Sequence, residues 1–319
     1  MKINWNYPTS IWVGDNRIKD LSKACNDLEI AKPLFVTDKD LINLQMVKNV
    51  VLDLKKNFND FSIFSNFTGN PIGENVEEGV EKFRQKGCDG VIAFGGGSAL
   101  DVGKAIAFMS GQTRPIWDFE DIGDYWKRAN QKNIAPIIAV PTTAGTGSET
   151  NSACVITNTR LGRKTYVVHP SITPAFSVLD PDLTVGLPTY PTATCGFDVL
   201  THAVEAFVSV GANAYSDAIA VEAIGKVAGN LRKVVADGQD IEARSQMLLG
   251  SAMAAQAFNV TGLGSAHGTG HAISARLNAA HGQTLATMLP HVMEYNMSVR
   301  EEKYAEVARI LAPTGPATG

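Results

Sequence analysis

The sequence predicts a two-part chain: an α/β half built on a parallel sheet, followed by an all-helical half. Three observations predict it. Short apolar runs alternate with amphipathic stretches through the first half, the rhythm of a β-α-β-α chain. One of these runs, GVIAF (90–94), is apolar throughout, as a strand covered on both faces requires. After about residue 184 strand-like runs stop and long Ala-rich amphipathic segments take over.

In order, PLFVT (33–37) reads as a buried strand, and residues 39–58 show helical spacing through Leu41, Leu44, Val47, Val51 and Leu54. FSIFS (61–65) reads as a second strand and is followed by the turn TGNPIG. A charged helix (74–86), the strand GVIAF, a helix from Ser98 to about Met109 and the strand IAPIIAV (134–140) complete the half. The boundary falls in LDPDLTVGLPTY (179–190), where two prolines and a glycine interrupt the pattern. Domains of 1–183 and 184–319 follow. The second is expected to hold helices at 192–210, 215–236, 241–258, 264–276 and 284–298.

Composition narrows the function. With 319 residues, 45% hydrophobic and 19% charged, the chain has enough mass for two cores. A net charge of -4, with no block of Lys or Arg, argues against nucleic acid as a main partner. Cys25, Cys88, Cys154 and Cys195 are scattered and form no C-x-x-C pair. They read as reduced thiols of a cytosolic protein. MKINWNYPTS lacks the apolar core of a secretory signal, and no apolar run approaches bilayer length. A cytoplasmic protein without membrane contact is expected.

Two loops suit a nucleotide. GVIAFGGGSALDVGKAIAF is strand, Gly turn, helix: Gly95, Gly96 and Gly97 let the backbone turn sharply, and Ser98 can cap the helix. Free amides and the helix dipole there attract an anion such as pyrophosphate. Neither the G-x-G-x-x-G fingerprint nor a Walker A loop fits, so a purely structural Gly turn is the competing reading. PTTAGTGSETN (141–151), again just after a strand, offers a second polar clasp, with a flexible surface loop as the competing reading. Asp38, just past strand 33–37, can accept hydrogen bonds from a ribose and repel a 2′-phosphate. A local N-cap role explains it equally well.

Asp198 and His202 lie four apart in GFDVLTHAVEAF and project from one helix face. With His267 and His281 they can close around one divalent ion, leaving roughly one net positive charge to polarise an oxygen atom. Scattered helix-surface histidines are the alternative. Glu205 is read as pairing with a surface base rather than orienting a ligand, and His291 as structural.

Together TGNPIGENV, GCDGVIAFGGGSALDVGKAIA, PTTAGTGSE, LDPDLTVGLP, FDVLTHAVEAF and H-G-T-G-H…HG…LPHVMEYN resemble the iron-containing (group III) alcohol dehydrogenase family, over residues 8 to 298. The resemblance implies a Rossmann-like, dinucleotide-binding α/β domain and an all-α domain, dehydroquinate synthase-like in fold. It implies metal ligation by Asp198, His202, His267 and His281, with Fe2+ the expected ion and Zn2+ the alternative. It implies a proton-relaying His271 and cofactor contacts at Asp38, Asn70, Gly96, Gly97, Ser98, Asp101, Thr142, Thr143, Thr146, Asn151, Lys164 and Leu183. Asn151 stands where the family often has Thr. NAD is favoured over NADP, small alcohols or aldehydes are the substrates, and a homodimer through the N-terminal strand is expected. Zinc glycerol dehydrogenase-like and maleylacetate reductase-like enzymes, and a non-catalytic homologue, are the competing readings. Ala272-Ile273-Ser274 and Arg276–Ala280 depart from the family pattern, so substrate identity does not carry over. The family also continues with further helices, so the chain reads as truncated at its C-terminus.

Overall fold

The computed structural model describes residues 7–277 and 279–312, apart from the side chain of Ala275. The N-terminal MKINWN and the C-terminal PTGPATG lie outside the described residues. Two compact units emerge. One holds Pro8–Thr142 and Ser148–Leu183; the other holds Tyr7, Thr143–Gly147 and the chain from Thr184.

In the first unit the strands are β1 (Ser10–Val13), β2 (Pro33–Val36), β3 (Ser62–Phe64), β4 (Gly90–Gly95), β5 (Ile137–Pro141), β6 (Ala153–Asn158), β7 (Arg163–Val168) and β8 (Phe176–Leu179). The helices are α1 (Leu21–Asp27), α2 (Gln45–Asn57), α3 (Gly73–Lys86) and α4 (Gly97–Met109). Among the described residues six strands form one sheet in the order β1-β8-β5-β4-β2-β3, every pair parallel. Strands β6 and β7 form a separate antiparallel hairpin.

Alternation along the strands explains the layering. Leu34, Val36 and Val91 face a core shared with α3 and α4, through Val80, Phe83, Val102 and Ile106. Phe35, Ile92 and Phe94 face the opposite core, with Val47, Val51 and Leu54 of α2. Both faces are therefore covered, which is why β2 and β4 are apolar at nearly every position. Chain order reverses at β2, which has β3 on one side and β4 on the other. This is a topological switch point, and ligands of open α/β sheets bind beyond the strand ends there.

The expected helix over 39–58 is split. Leu44 is extended (φ -72, ψ 146), so a short 3-10 turn, Leu41–Asn43, precedes α2. Strand β8, helix α1 and the hairpin carried too short a pattern to be assigned from sequence, and β1 was expected only through the resemblance, as the N-terminal strand. For the hairpin a signal existed: β-branched alternation on both sides of a turn closed by Gly162 at φ 61.

The second unit holds α5 (Thr189–Val208), α6 (Ala214–Ala236), α7 (Ile241–Thr261), α8 (Ser265–Leu277) and α9 (His281–Leu311). Its core packs Val199, Ala203, Ala206 and Phe207 against Ala220, Ala223, Ile224, Ala254 and Ala257. Small side chains at these positions let the helix axes approach closely. Asn213 accepts the Ser216 N–H at 3.2 Å while the Ser216 hydroxyl accepts the Asn213 N–H at 2.9 Å, a capping box that starts α6. Helix α9 is longer than the expected 284–298. It runs through Pro290 and a non-helical Arg300 (φ -140, ψ 27). No helix among the described residues is long and apolar enough to cross a membrane.

Candidate metal centre and nucleotide loops

Helix α5 projects Asp198 and His202 from one face, one turn apart. The start of α9 is pressed against α5, since a Cβ built on Gly282 would fall 2.1 Å from the Thr194 carbonyl oxygen. Only glycine allows that approach, and it brings His281 beside Asp198. Asp198 Oδ1 lies 3.4 Å from His202 Nε2, 3.5 Å from His267 Nε2 and 3.8 Å from His281 Nε2. Rings of His202 and His267 stack at 4.5 Å and 16°, and Phe258 backs His202 at 4.6 Å. The three histidines named from sequence therefore stand around Asp198 Oδ1, though the tightest set, with ligand atoms all within 4.8 Å of one another, is Asp198, His267 and His281 without His202.

These residues suit a divalent ion. Two atoms each about 2.1 Å from an ion at a tetrahedral angle stand about 3.4 Å apart, close to the spacings found here. Asp198 Oδ1 and His267 Nε2 are buried and lack an ordinary hydrogen-bond partner, a costly arrangement unless something else is held there.

The charge states of Asp198 and His202 suit ligands as they stand, whereas His267 must first give up a proton. Burial pulls His202 down to about 3 against the attraction of Asp198, so its ring is neutral, as a ligand must be. Burial alone would raise Asp198, but His202, His267 and His281 hold it below the usual carboxylate range. His267 goes the other way, up to about 9: burial opposes, and the neighbouring Asp198 and Glu205 carboxylates prevail. Glu205 corrects the sequence reading. It is buried, and among the described residues its ion-pair partner is His267, whose Nδ1 stands 2.5 Å from its Oε2. His271 lies 4.6 Å from the His281 ring and 5.8 Å from that of His267, between centroids.

In the sheet unit, register aligns the loop residues. Val36 pairs with Ala93 and Gly95 with Pro141, so Asp38, just past the end of β2, comes level with Gly95 and Pro141, the last residues of β4 and β5. Gly95 takes φ 143, a conformation for which glycine is suited, and its carbonyl accepts the Thr142 N–H at 3.0 Å. Gly96 caps α4, leaving the amides of Gly97 and Ser98 at a helix start, where no earlier turn supplies acceptors. Asp38 Oδ1 accepts the N–H groups of Asp40 (2.9 Å) and Leu41 (2.8 Å). The local capping reading is thus realised at one oxygen. Asn70 is exposed, with φ 55, just before Pro71.

Asp101 and Asn151 turn inward instead of toward open space. Asp101 accepts from the Ser148 hydroxyl at 2.6 Å and from the Val155 N–H at 3.0 Å. Asn151 is buried and its Oδ1 accepts from Lys104 Nζ at 2.8 Å. Their side chains hold the loop after β5. Lys104, missed in the sequence, is the centre of that network. A lone Lys amid the apolar residues of α4, in GSALDVGKAIAFM, was the available signal. Leu183 is buried with Phe94 and Val140. Lys164 lies on β7 opposite Thr157, close enough to bias the Asp101 carboxylate. Thr143 and Thr146 sit in the segment that clusters with the helical unit.

Comparison with known proteins agrees with this geometry. Residues 8–181 match the model of the iron-containing alcohol dehydrogenase, and residues 192–318 match the C-terminal model of the Fe-containing alcohol dehydrogenase family. An NAD-dependent methanol dehydrogenase of Bacillus methanolicus is 34% identical over 97% of this chain and 80% of its own length. A 1,3-propanediol dehydrogenase of Citrobacter freundii is 37% identical over 95% and 78%. The crystal structure of a 1,3-propanediol oxidoreductase superposes with a TM-score of 0.94 at 35% identity, covering 100% of this chain and 82% of that one. The chain belongs to the iron-containing alcohol dehydrogenase family and is an oxidoreductase acting on CH–OH groups.

Proposed function

We propose that the chain interconverts a small alcohol with its aldehyde or ketone, using NAD(H) and one divalent ion, Fe2+ with Zn2+ as the alternative. Residues 1–183 serve the nucleotide and residues 184–319 the metal. When bound, the ion supplies Lewis acidity toward the substrate oxygen and the nicotinamide a hydride carrier. Asp198, His202, His267 and His281 hold the ion. The first contributes the charge, and the buried rings are neutral donors once their protons leave. Gly96, Gly97 and Ser98 present helix-start amides to the diphosphate. Asp38 faces the ribose with its second oxygen. Thr142, Thr143, Thr146, Lys164, Asn70 and Leu183 complete the cofactor surroundings, while Asp101 and Asn151 act by holding the loop. His271 carries the alcohol proton away on a ring nitrogen, which balances alcohol plus NAD+ against aldehyde, NADH and one proton.

A single observation supports this reading most: one buried carboxylate oxygen 3.4–3.8 Å from three imidazole nitrogens. Elemental analysis of anaerobically purified protein tests it, alongside NAD-linked oxidation of a short-alcohol panel with and without Fe2+. One ion per chain and activity that chelation removes are expected. Full activity without any metal would overturn it.

A cytoplasmic homodimer is part of the same reading. The acidic balance and scattered thiols support the location, and β1 supports the dimer as a strand on the outer edge of its sheet.

A further inference from the structure

Glu205 does two jobs from one buried position. Its Oε1 accepts the N–H of Ala266 at 2.7 Å and the N–H of His267 at 3.4 Å. These are amides of the first turn of α8, which otherwise lack acceptors. Its Oε2 meets His267 Nδ1 at 2.5 Å. A carboxylate can only accept, so Nδ1 carries the proton and Nε2 is the atom presented to Asp198. Gly264 makes the fit possible: a Cβ there would stand 2.8 Å from Glu205 Oε1 and 3.1 Å from its Cδ.

We infer that Glu205 is a positioning residue of the metal centre, fixing the tautomer and ring direction of His267 and, through the same carboxylate, the seat of α8. This rests on the metal reading above. Glutamine is no substitute. With its oxygen toward the backbone amides, its NH2 faces Nδ1 and drives the ring proton onto Nε2, the ligand atom. Reversed, the NH2 faces two N–H donors and unseats the first turn of α8.

Titration of metal-free protein with Co2+ tests this, reading affinity by chelator competition and geometry by the visible absorption of bound Co2+. Wild type, Glu205→Gln, Gly264→Ala and His281→Ala are compared, with far-ultraviolet circular dichroism on each. Wild type should bind one equivalent. Glu205→Gln should bind about 10–100-fold more weakly, with an altered Co2+ spectrum, as expected when a ligand's supporting carboxylate is lost. Gly264→Ala, which displaces the carboxylate without changing its chemistry, should shift both readouts in the same direction. It carries the test if Glu205→Gln does not fold. Binding in both variants within twofold of wild type, with an unchanged spectrum, removes the positioning role alone. If wild type and His281→Ala are equally unable to bind Co2+, the metal reading falls and takes this inference with it.

Discussion

Lys104 Nζ, fully buried, donates to Asn151 Oδ1 at 2.8 Å and faces three more oxygens, Asn151 O at 3.1 Å and Ser148 O and Oγ at 2.9 Å. Helix α4 thereby grips the loop that leaves β5. Burial lowers Lys104 from its usual range and raises Asp101, and each charge opposes the other's shift. Lys104→Met keeps the stem and removes the ammonium, leaving Asp101 buried without its counter-charge. Stability should fall by about 3 kcal/mol or more, since one partner of a buried charged pair is lost. Urea unfolding measures it, and KM for NAD should rise. An unchanged midpoint would count against the grip.

Glu149 is buried in the same loop, and desolvation pushes it up to about 7. The folded state therefore holds a proton that the unfolded chain releases near its ordinary 4.5. The stability this contributes is complete below that value and is lost as pH rises toward and through 7, by at most about 1.4 kcal/mol per unit. Glu149→Gln should remove this component. Urea midpoints of wild type should decline relative to the variant between pH 5 and 8. Parallel curves would show that Glu149 ionises as freely when folded.

Asp198→Asn removes the negative charge of the metal centre while keeping its shape. Metal content by elemental analysis should drop at least about tenfold, and NAD-linked turnover with it. Circular dichroism should stay native, because Asn keeps the size of Asp198 in the middle of α5. Wild-type metal content in this variant would remove Asp198 from the ligand set.

Asp38 is better tested by Asn than by Gly, because Oδ1 must still accept from Asp40 and Leu41. Asp38→Asn keeps that turn and deletes the charge that repels a 2′-phosphate. The ratio of kcat/KM for NADP over NAD should rise by about tenfold, roughly the 1.4 kcal/mol of one relieved charge repulsion. A constant ratio would leave Asp38 as a capping residue only.

His271→Ala should keep the metal within about twofold but slow turnover by about a hundredfold, the lower end for a lost proton carrier. Steady-state kcat against pH reads the role. The same pH profile at reduced or full rate would reassign His271 to packing beside His281.

Much was legible in the amino-acid order. Periodicity located β2, β4, α3, α4 and α5 to α8 to within a few residues, because burial on a strand or a helix leaves a period of two or 3.6 that needs no knowledge of neighbours. It stopped well short of the end of α9. The same periodicity put Asp198 and His202 on one face, and the Gly run marked the turn into α4. Short or edge elements such as β1, β8 and the β6–β7 hairpin left too few residues for a period to register.

The rest depended on where the folded chain returns. His281 reaches Asp198 because Gly282 lets the start of α9 press on α5, and His267 reaches it from the first turn of α8. Glu205 finds an imidazole rather than a surface base because α8 begins beside α5. Asp101 meets Ser148, and Lys104 meets Asn151, because the loop after β5 folds back onto α4. Local sequence fixes which way a side chain leaves its own helix or strand; what stands opposite it is decided by contacts between residues dozens of positions apart, and those exist only once the cores have packed.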